Sequence, residues 1–313
     1  MQEVIYGCMG LGGSWSGEPH GAHHVDQAAA AVQAALDAGI TKFDHADIYR
    51  TGKSEAVFGE VLAAEPGLRE RIRLQTKCGI RLNERGLQTH YDLSREAILE
   101  RVNGSLERLR TDYVDILLLH RPDPLADPAE VASAVGQLMA EGKVRELGVS
   151  NMSAAQIEVL QDRLETPIVA NQLEMSLLKR AWLESQVLVN HPEHLDYSFP
   201  HGTLEFCTRN NITLQAYGSL AKGVYTGAEQ DNPTSAEAAT AELVAELAGE
   251  YSTTGEAVLL GWLMKHPAGI SPVIGTVNPD RISACADAAR MAKALTRADW
   301  YKLWITARGS NIP

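Results

Sequence analysis

Cysteine is scarce in this chain: there are four among 313 residues, and no two form a Cys-x-x-Cys pair. Cys8, Cys78, Cys207 and Cys285 lie far apart in mostly apolar contexts, so neither a disulfide framework nor a zinc finger is indicated and reduced thiols are expected. Long apolar runs are missing too. No stretch approaches the ~20 residues of a membrane span, and the N-terminus shows no charged start followed by a long apolar core. A soluble, unexported, cytoplasmic protein is the expectation. Positive charge is in deficit, with 28 basic against 40 acidic residues and a formal net charge of -12. That balance argues against duplex nucleic acid or an anionic membrane as principal partner, while leaving room for a local basic pocket for a phosphorylated small molecule. Linkers, repeats and low-complexity segments are also lacking, so residues 1–313 are expected to form one domain. Oligomeric state stays open, a monomer being compatible with all of this.

What the chain does have is an alternation of short apolar runs with amphipathic stretches. Val4–Met9 reads as a first strand. Asp26–Ala38 follows as a helix stopped by Gly39, then a strand over Ile40–Phe43 and a helix over Ser54–Ala64. Strands are expected at Leu74–Cys78, Tyr113–Leu119, Leu147–Val149, Ile168–Ala170, Ile212–Ala216 and Val273–Ile274. The intervening helices are Ser94–Leu109, Ala129–Glu141, Ser153–Leu164, Glu237–Tyr251 and Gly255–His266, with Ser153 and Gln156 forming a capping box. Leu177–Phe206 reads as a long functional or mobile loop. Eight strand-then-helix units predict an α/β fold, a single (β/α)8 TIM barrel. The glycines of Gly10-Leu11-Gly12-Gly13 do not make a dinucleotide fingerprint, because its third glycine would fall on Trp15.

Three apolar strands run into ionisable residues: Phe43 into Asp44 and, five residues on, Tyr49; Thr76 into Lys77; Leu119 into His120. Strand tips are where such a barrel keeps its chemistry. A lysine buried at a strand end needs a counter-charge, since breaking a buried pair costs ~3–5 kcal/mol, and Asp44 is the obvious one. Bringing a phenol two or three units down from ~10 needs ~3–4 kcal/mol. One ammonium ~4 Å away at an effective dielectric of ~20 supplies about that much. Tyr49 is therefore expected to be acidified by Lys77.

At these residues the sequence resembles the aldo-keto reductase superfamily. Gly39-Ile40-Thr41-Lys42-Phe43-Asp44-His45-Ala46 with Tyr49, Glu55 and Gly59 is similar to its first signature. The Asp-Tyr-Lys-His order matches its tetrad. His-Ala-Asp-Ile-Tyr, Lys-Cys-Gly and His-Arg-Pro-Asp-Pro segments resemble its bacterial oxidoreductases. The family's N-terminal hairpin is expected to be absent or vestigial here, because the chain starts almost on its first strand. The resemblance implies the family's barrel, with Asp44, Tyr49, Lys77 and His120 as the catalytic set. It also implies NADPH as cofactor, with NAD less favoured, and a small carbonyl compound as substrate. Further cofactor contacts are implied at Gly13; at Ser150, Asn151 and Gln172 for the nicotinamide amide; and at Tyr217 for stacking on the ring. Gly218, Leu220 and Lys222 are implied for the pyrophosphate, and Gly275, Thr276, Asn278 and Arg281 for the adenosine 2′-phosphate. Gly218-Ser219 stands where the family commonly has Ser-Pro, Gly275 replaces a frequent lysine, and Ala284 and Cys285 replace polar adenine contacts.

Two other readings compete. A cofactor-sensing module resembling the potassium-channel β subunits would keep the tetrad and turn over slowly. A metal-dependent hydrolase would use Asp44, His45, Asp47 and His120, but the chain lacks the His-x-His strand tip such sites usually show. His20, His23 and His24, and His191-Pro192-Glu193-His194, do not follow the helical His-Glu-x-x-His pattern, so no metal site is expected. Trp15 and Tyr91 are placed near the substrate, or simply in loop packing; Trp300 and Trp304 are expected in the core.

Overall fold

Val114–Leu119 reads Val-Asp-Ile-Leu-Leu-Leu and all six residues are buried, as a strand covered on both faces requires. The computed structural model describes residues 2–84 and 86–313. Among these residues the strands are β1 (Ile5–Gly7), β2 (Lys42–Asp44), β3 (Arg73–Cys78), β4 (Ile80–Glu84), β5 (Leu87–Tyr91), β6 (Val114–Leu119), β7 (Val144–Ser150), β8 (Ile168–Glu174), β9 (Thr213–Tyr217) and β10 (Ser271–Ile274). Eight of them close into a parallel barrel in the order β1-β2-β3-β6-β7-β8-β9-β10, with helices following the strands. This is the expected (β/α)8 architecture. No helix among the described residues is long and apolar enough to cross a membrane.

The chain divides into two compact units. One comprises Ile5–Gln172 with Gly275–Pro279. Three of its helices begin where a side chain satisfies an exposed N–H group of the first turn. Ser94 accepts from Ala97 N, Asp127 accepts from Ala129 N ahead of Pro128, and Ser153 with Gln156 forms the expected capping box. Helix Lys53–Ala64 comes so close to helix Arg95–Leu109 that a Cβ on Gly59 would lie 2.1 Å from the Arg108 carbonyl oxygen. Only a glycine fits there.

The other unit comprises Leu173–Ile274 and Asp280–Pro313 with the residues up to Val4. Trp262 and Trp300 stack at 5.2 Å and 14°, and each indole N–H donates to the other residue's carbonyl, at 3.0 and 2.9 Å. Trp304 is likewise in the core. Glu184 is wholly buried and accepts from Arg180 at 3.0 Å, Arg308 at 3.1 Å and the Trp304 indole at 2.9 Å.

Three expectations need correction. Leu177–Phe206 is not a structureless loop: it carries helix Ala181–Val187, a 3-10 turn at Pro192–Asp196 and the start of helix Thr203–Arg209. Trp182 is buried against Trp262, and Glu184 pins the segment to helix Arg297–Arg308. The first strand stops at Gly7 because the Cys8 carbonyl is taken by Leu11 N and the Ser54 hydroxyl. Beyond β3 the chain forms the antiparallel β4–β5 hairpin, with Ile80 opposite Tyr91, where no strand was expected.

Candidate active site

Parallel pairing of β2 and β3 sets Asp44 opposite Gln75. Alternate residues of a strand share a face, so Lys77 follows Gln75 on the side that Asp44 occupies. The pairing continues past β2, with His45 N donating to Gln75 O at 2.8 Å and Asp47 N to Lys77 O at 3.0 Å. The chain then reverses through three successive left-handed residues, Arg50 (φ 52°), Thr51 (φ 58°) and Gly52 (φ 87°). A β-branched residue in that region is a genuine outlier, costing ~1–3 kcal/mol, and such strain collects at functional sites. Here it lies directly after Tyr49.

The Lys77 ammonium is fully buried and donates three hydrogen bonds: to Asp44 Oδ2 at 2.6 Å, the His45 carbonyl at 2.9 Å and the Tyr49 hydroxyl at 3.0 Å. Asp44 Oδ1 accepts from Gln75 Nε2 at 2.5 Å and Gln172 Nε2 at 3.2 Å. The Tyr49 and His120 rings meet edge to face with centroids 6.0 Å apart. His120 is held by its backbone N–H to Cys78 O at 2.9 Å, and its buried Nδ1 has no hydrogen-bond partner among the described residues. All four residues singled out in the sequence therefore come together.

Their electrostatics differ in one respect from the expectation. Burial raises the Tyr49 phenol above its usual value by more than Lys77 lowers it. The ammonium offsets desolvation rather than producing a net acidic phenol. Burial alone would depress Lys77, but Asp44 and Tyr49 outweigh it and hold the amine above its ordinary range. Burial, with Lys77 and Arg121 adding to it, holds His120 well below the usual imidazole value, so the ring is neutral.

Sequence reasoning passed over Gln75, which the two-residue spacing to Lys77 could have flagged. Glu55, which entered only through the family signature, and His45 and Asp47, which entered only through the hydrolase reading, form a buried polar layer in the same unit. Glu55 accepts from Thr76 Oγ1 at 2.6 Å and from Arg108 Nε at 2.8 Å. The Asp47 carboxylate is buried, neither of its oxygens finds a well-formed hydrogen bond among the described residues, and Arg101 Nε lies 3.8 Å from Oδ2. Burial, then Glu55, pushes the Asp47 carboxyl up to about 7. Burial, then Lys77, pushes His45 down to about 3. The hydrolase reading of Asp44, His45, Asp47 and His120 does not suit this arrangement, because Asp44 is committed to Lys77, Gln75 and Gln172.

Ser150, Asn151 and Gln172 come together at the ends of β7 and β8. The Ser150 hydroxyl and Asn151 N both donate to Gln172 O at 2.9 Å, and Asn151 Nδ2 donates to Ser150 Oγ at 2.7 Å. In the same unit Gly13 (φ 81°) is packed so that a Cβ would lie 2.4 Å from His24 Nε2. Gly275 and Asn278 are exposed and Thr276 is half-buried; Asn278 N donates to Thr276 Oγ1 at 3.2 Å. In the other unit Tyr217 ends β9, Gly218 turns at φ 66°, Leu220 is half-buried and Lys222 is exposed. Ser219, buried, anchors that loop by donating to Val273 O at 2.8 Å. Arg281 Nη2 donates to Thr226 Oγ1 at 3.2 Å and lies 3.6 Å from Glu256 Oε1.

The remaining sequence candidates have these surroundings. Trp15 is exposed beneath the Arg50 guanidinium at 5.4 Å, and Tyr91 is exposed on the β4–β5 hairpin. His20 pairs with Glu60 at 2.8 Å and His194 with His201 at 2.8 Å. No group of three or more His, Cys, Asp or Glu residues among those described is arranged to hold a metal ion.

Comparison with known proteins identifies the family. The Aldo/keto reductase family model matches residues 3–303. The uncharacterized oxidoreductase YcsN of Bacillus subtilis is 38% identical, with 90% of this chain and 88% of that protein covered. The 6-dehydroglucose reductase of Agrobacterium fabrum is 34% identical, with 100% and 96% covered. The solved structure of a glycerol dehydrogenase from Gluconobacter oxydans superposes with a TM-score of 0.78 at 24% identity over 99% of this chain and 93% of that one, a likeness of fold. The chain belongs to the Aldo/keto reductase family and is an oxidoreductase, of a family that acts on small molecules with a nicotinamide cofactor.

Proposed function

We propose that the chain is an NADPH-dependent reductase of aldehydes and ketones. The observation carrying this reading is the single Lys77 ammonium that donates both to buried Asp44 and to the Tyr49 hydroxyl, beside a neutral His120. When bound, a reduced nicotinamide would supply hydride for the carbonyl carbon. Tyr49 gives its proton to the carbonyl oxygen as negative charge develops there. Lys77 stabilises the phenolate left behind, and Asp44 keeps that lysine charged. His120 offers the carbonyl oxygen a hydrogen bond and fixes its orientation.

The donor set fits such a cofactor. Ser150, Asn151 and Gln172 offer the hydroxyl and amide groups a carboxamide pairs with. Tyr217 offers a flat face. Gly218, in a left-handed conformation, lets backbone approach a phosphate, with Leu220 and Lys222 on the same loop. Gly13 serves as a close-approach position. Gly275, Thr276, Asn278 and Arg281 are assigned to the adenosine 2′-phosphate, where Arg281 is the only cation between positions 275 and 285. That guanidinium supports NADPH over NADH.

The test is a fluorescence titration with NADPH and NADH, followed by a panel of aldehydes and ketones. Because one relative is named a 6-dehydroglucose reductase, sugars bearing an extra carbonyl join the panel. Saturable NADPH binding with turnover of at least one carbonyl class is expected. Binding without turnover above a Tyr49→Phe control would reassign the chain as a cofactor sensor.

A further inference from the structure

The guanidinium assigned to the adenosine phosphate is already engaged. Arg281 Nη2 lies 3.6 Å from Glu256 Oε1 and donates to Thr226 Oγ1 at 3.2 Å. It rests against Gly223, where a Cβ would come within 3.0 Å of that nitrogen. The Arg281 carbonyl accepts from Cys285 Sγ at 3.2 Å, which holds its backbone in place. Glu256 has a side-chain exposure of 13% and sits in the first turn of helix Gly255–Met264, so its charge is poorly screened by water and is favoured by the helix N-terminus. Arg281, at 40% side-chain exposure, is the more reachable partner.

We propose that Glu256 is a cofactor-specificity residue: by holding Arg281 against Thr226 and the Gly223 turn, it competes with the adenosine 2′-phosphate and narrows the preference for NADPH over NADH. This rests on the dinucleotide reading above. A phosphate approaching Arg281 must share or displace the Glu256 carboxylate and is also repelled by it, whereas an adenosine 2′-hydroxyl meets neither effect. Nothing nearby in sequence restores the balance. Gly275 brings no side chain and Asp280 adds a second acid next to the arginine. Arginine ties down the loop when no phosphate is bound, and discrimination becomes a contest between two anions for one cation.

The experiment is a fluorescence titration of the full chain and of Glu256→Gln with NADPH and with NADH, at low and at physiological salt. For the natural chain the NADPH:NADH affinity ratio is expected to be about tenfold or less, the size of a partly exposed ion-pair effect. Glu256→Gln should raise it by roughly another tenfold, through NADPH alone and more strongly at low salt. NADH affinity reports in the same samples that the variant is folded, and Glu256→Asp should keep the ratio near that of the natural chain. A Glu256→Gln effect equal for the two cofactors, or a natural ratio on the order of a thousandfold, would overturn the proposal while leaving the reductase reading intact. Binding of neither cofactor would sink that reading and this inference with it.

Discussion

Lys77 Nζ and Asp44 Oδ2 lie 2.6 Å apart with side-chain exposures of 0% and 2%. A pair so removed from water is costly to break and not especially stabilising to have, since desolvation consumes most of the Coulombic gain. Asp44→Ala is expected to lower unfolding stability by ~3–5 kcal/mol, because it strands a buried ammonium. Adding Lys77→Met to Asp44→Ala should recover much of that loss without restoring turnover. Denaturant melts of the single and double variants check it: a double variant no more stable than the single one would show that the pair's role is structural packing.

His45 makes the fold sensitive to acid. Its pKa falls from an unfolded value of ~6.5 to about 3 in the fold. Between those limits the unfolded chain takes up a proton that the folded chain refuses, so stability falls as pH drops below ~6.5. His266, pushed down to about 4 by burial, contributes in the same direction. His45→Asn should flatten the slope of stability against pH between ~6.5 and ~4, measured by urea unfolding across that range. An unchanged slope would mean that His45 is hydrated and free to titrate.

Asp47 acts with the opposite sign. Its folded pKa of about 7 exceeds an unfolded value of ~3.9, so the fold binds the extra proton and stability declines as pH rises from ~4 to ~7. Asp47→Asn should therefore stabilise the chain more at pH ~8 than at pH ~5, by about 1–3 kcal/mol. A gain independent of pH would indicate that the carboxyl is ionised throughout, paired with Arg101.

Why the tetrad and barrel were legible while other parts were not follows from what each depends on. β6 reads as a doubly covered strand from its own composition, and Asp44, Lys77 and His120 are found by looking just past an apolar run. Segment Leu177–Phe206 was opaque because its order comes from distant partners: Trp262 for Trp182, and Arg308 and Trp304 for Glu184. The β4–β5 hairpin was missed because it is short and half polar, and sits where a barrel unit calls for a loop. Helix Ala22–Asp37 starts earlier than expected, since its first turn is closed by Gly21 N donating to His24 Nδ1 at 3.0 Å rather than by a standard cap. The direction of the Tyr49 shift required knowing how deeply the ring is buried. Spacing supplied the neighbouring charge but not the desolvation that outweighs it.

The central claim is that Tyr49, hydrogen-bonded by Lys77, hands its proton to the substrate. Substituting phenylalanine removes one oxygen and leaves the ring beside His120. The decisive measurement is turnover of Tyr49→Phe on an accepted carbonyl together with its NADPH affinity. The account predicts a fall in kcat of roughly 10²–10⁴-fold with cofactor affinity within about twofold of the natural chain. Undiminished turnover, or an equal collapse of turnover and cofactor binding, would contradict it.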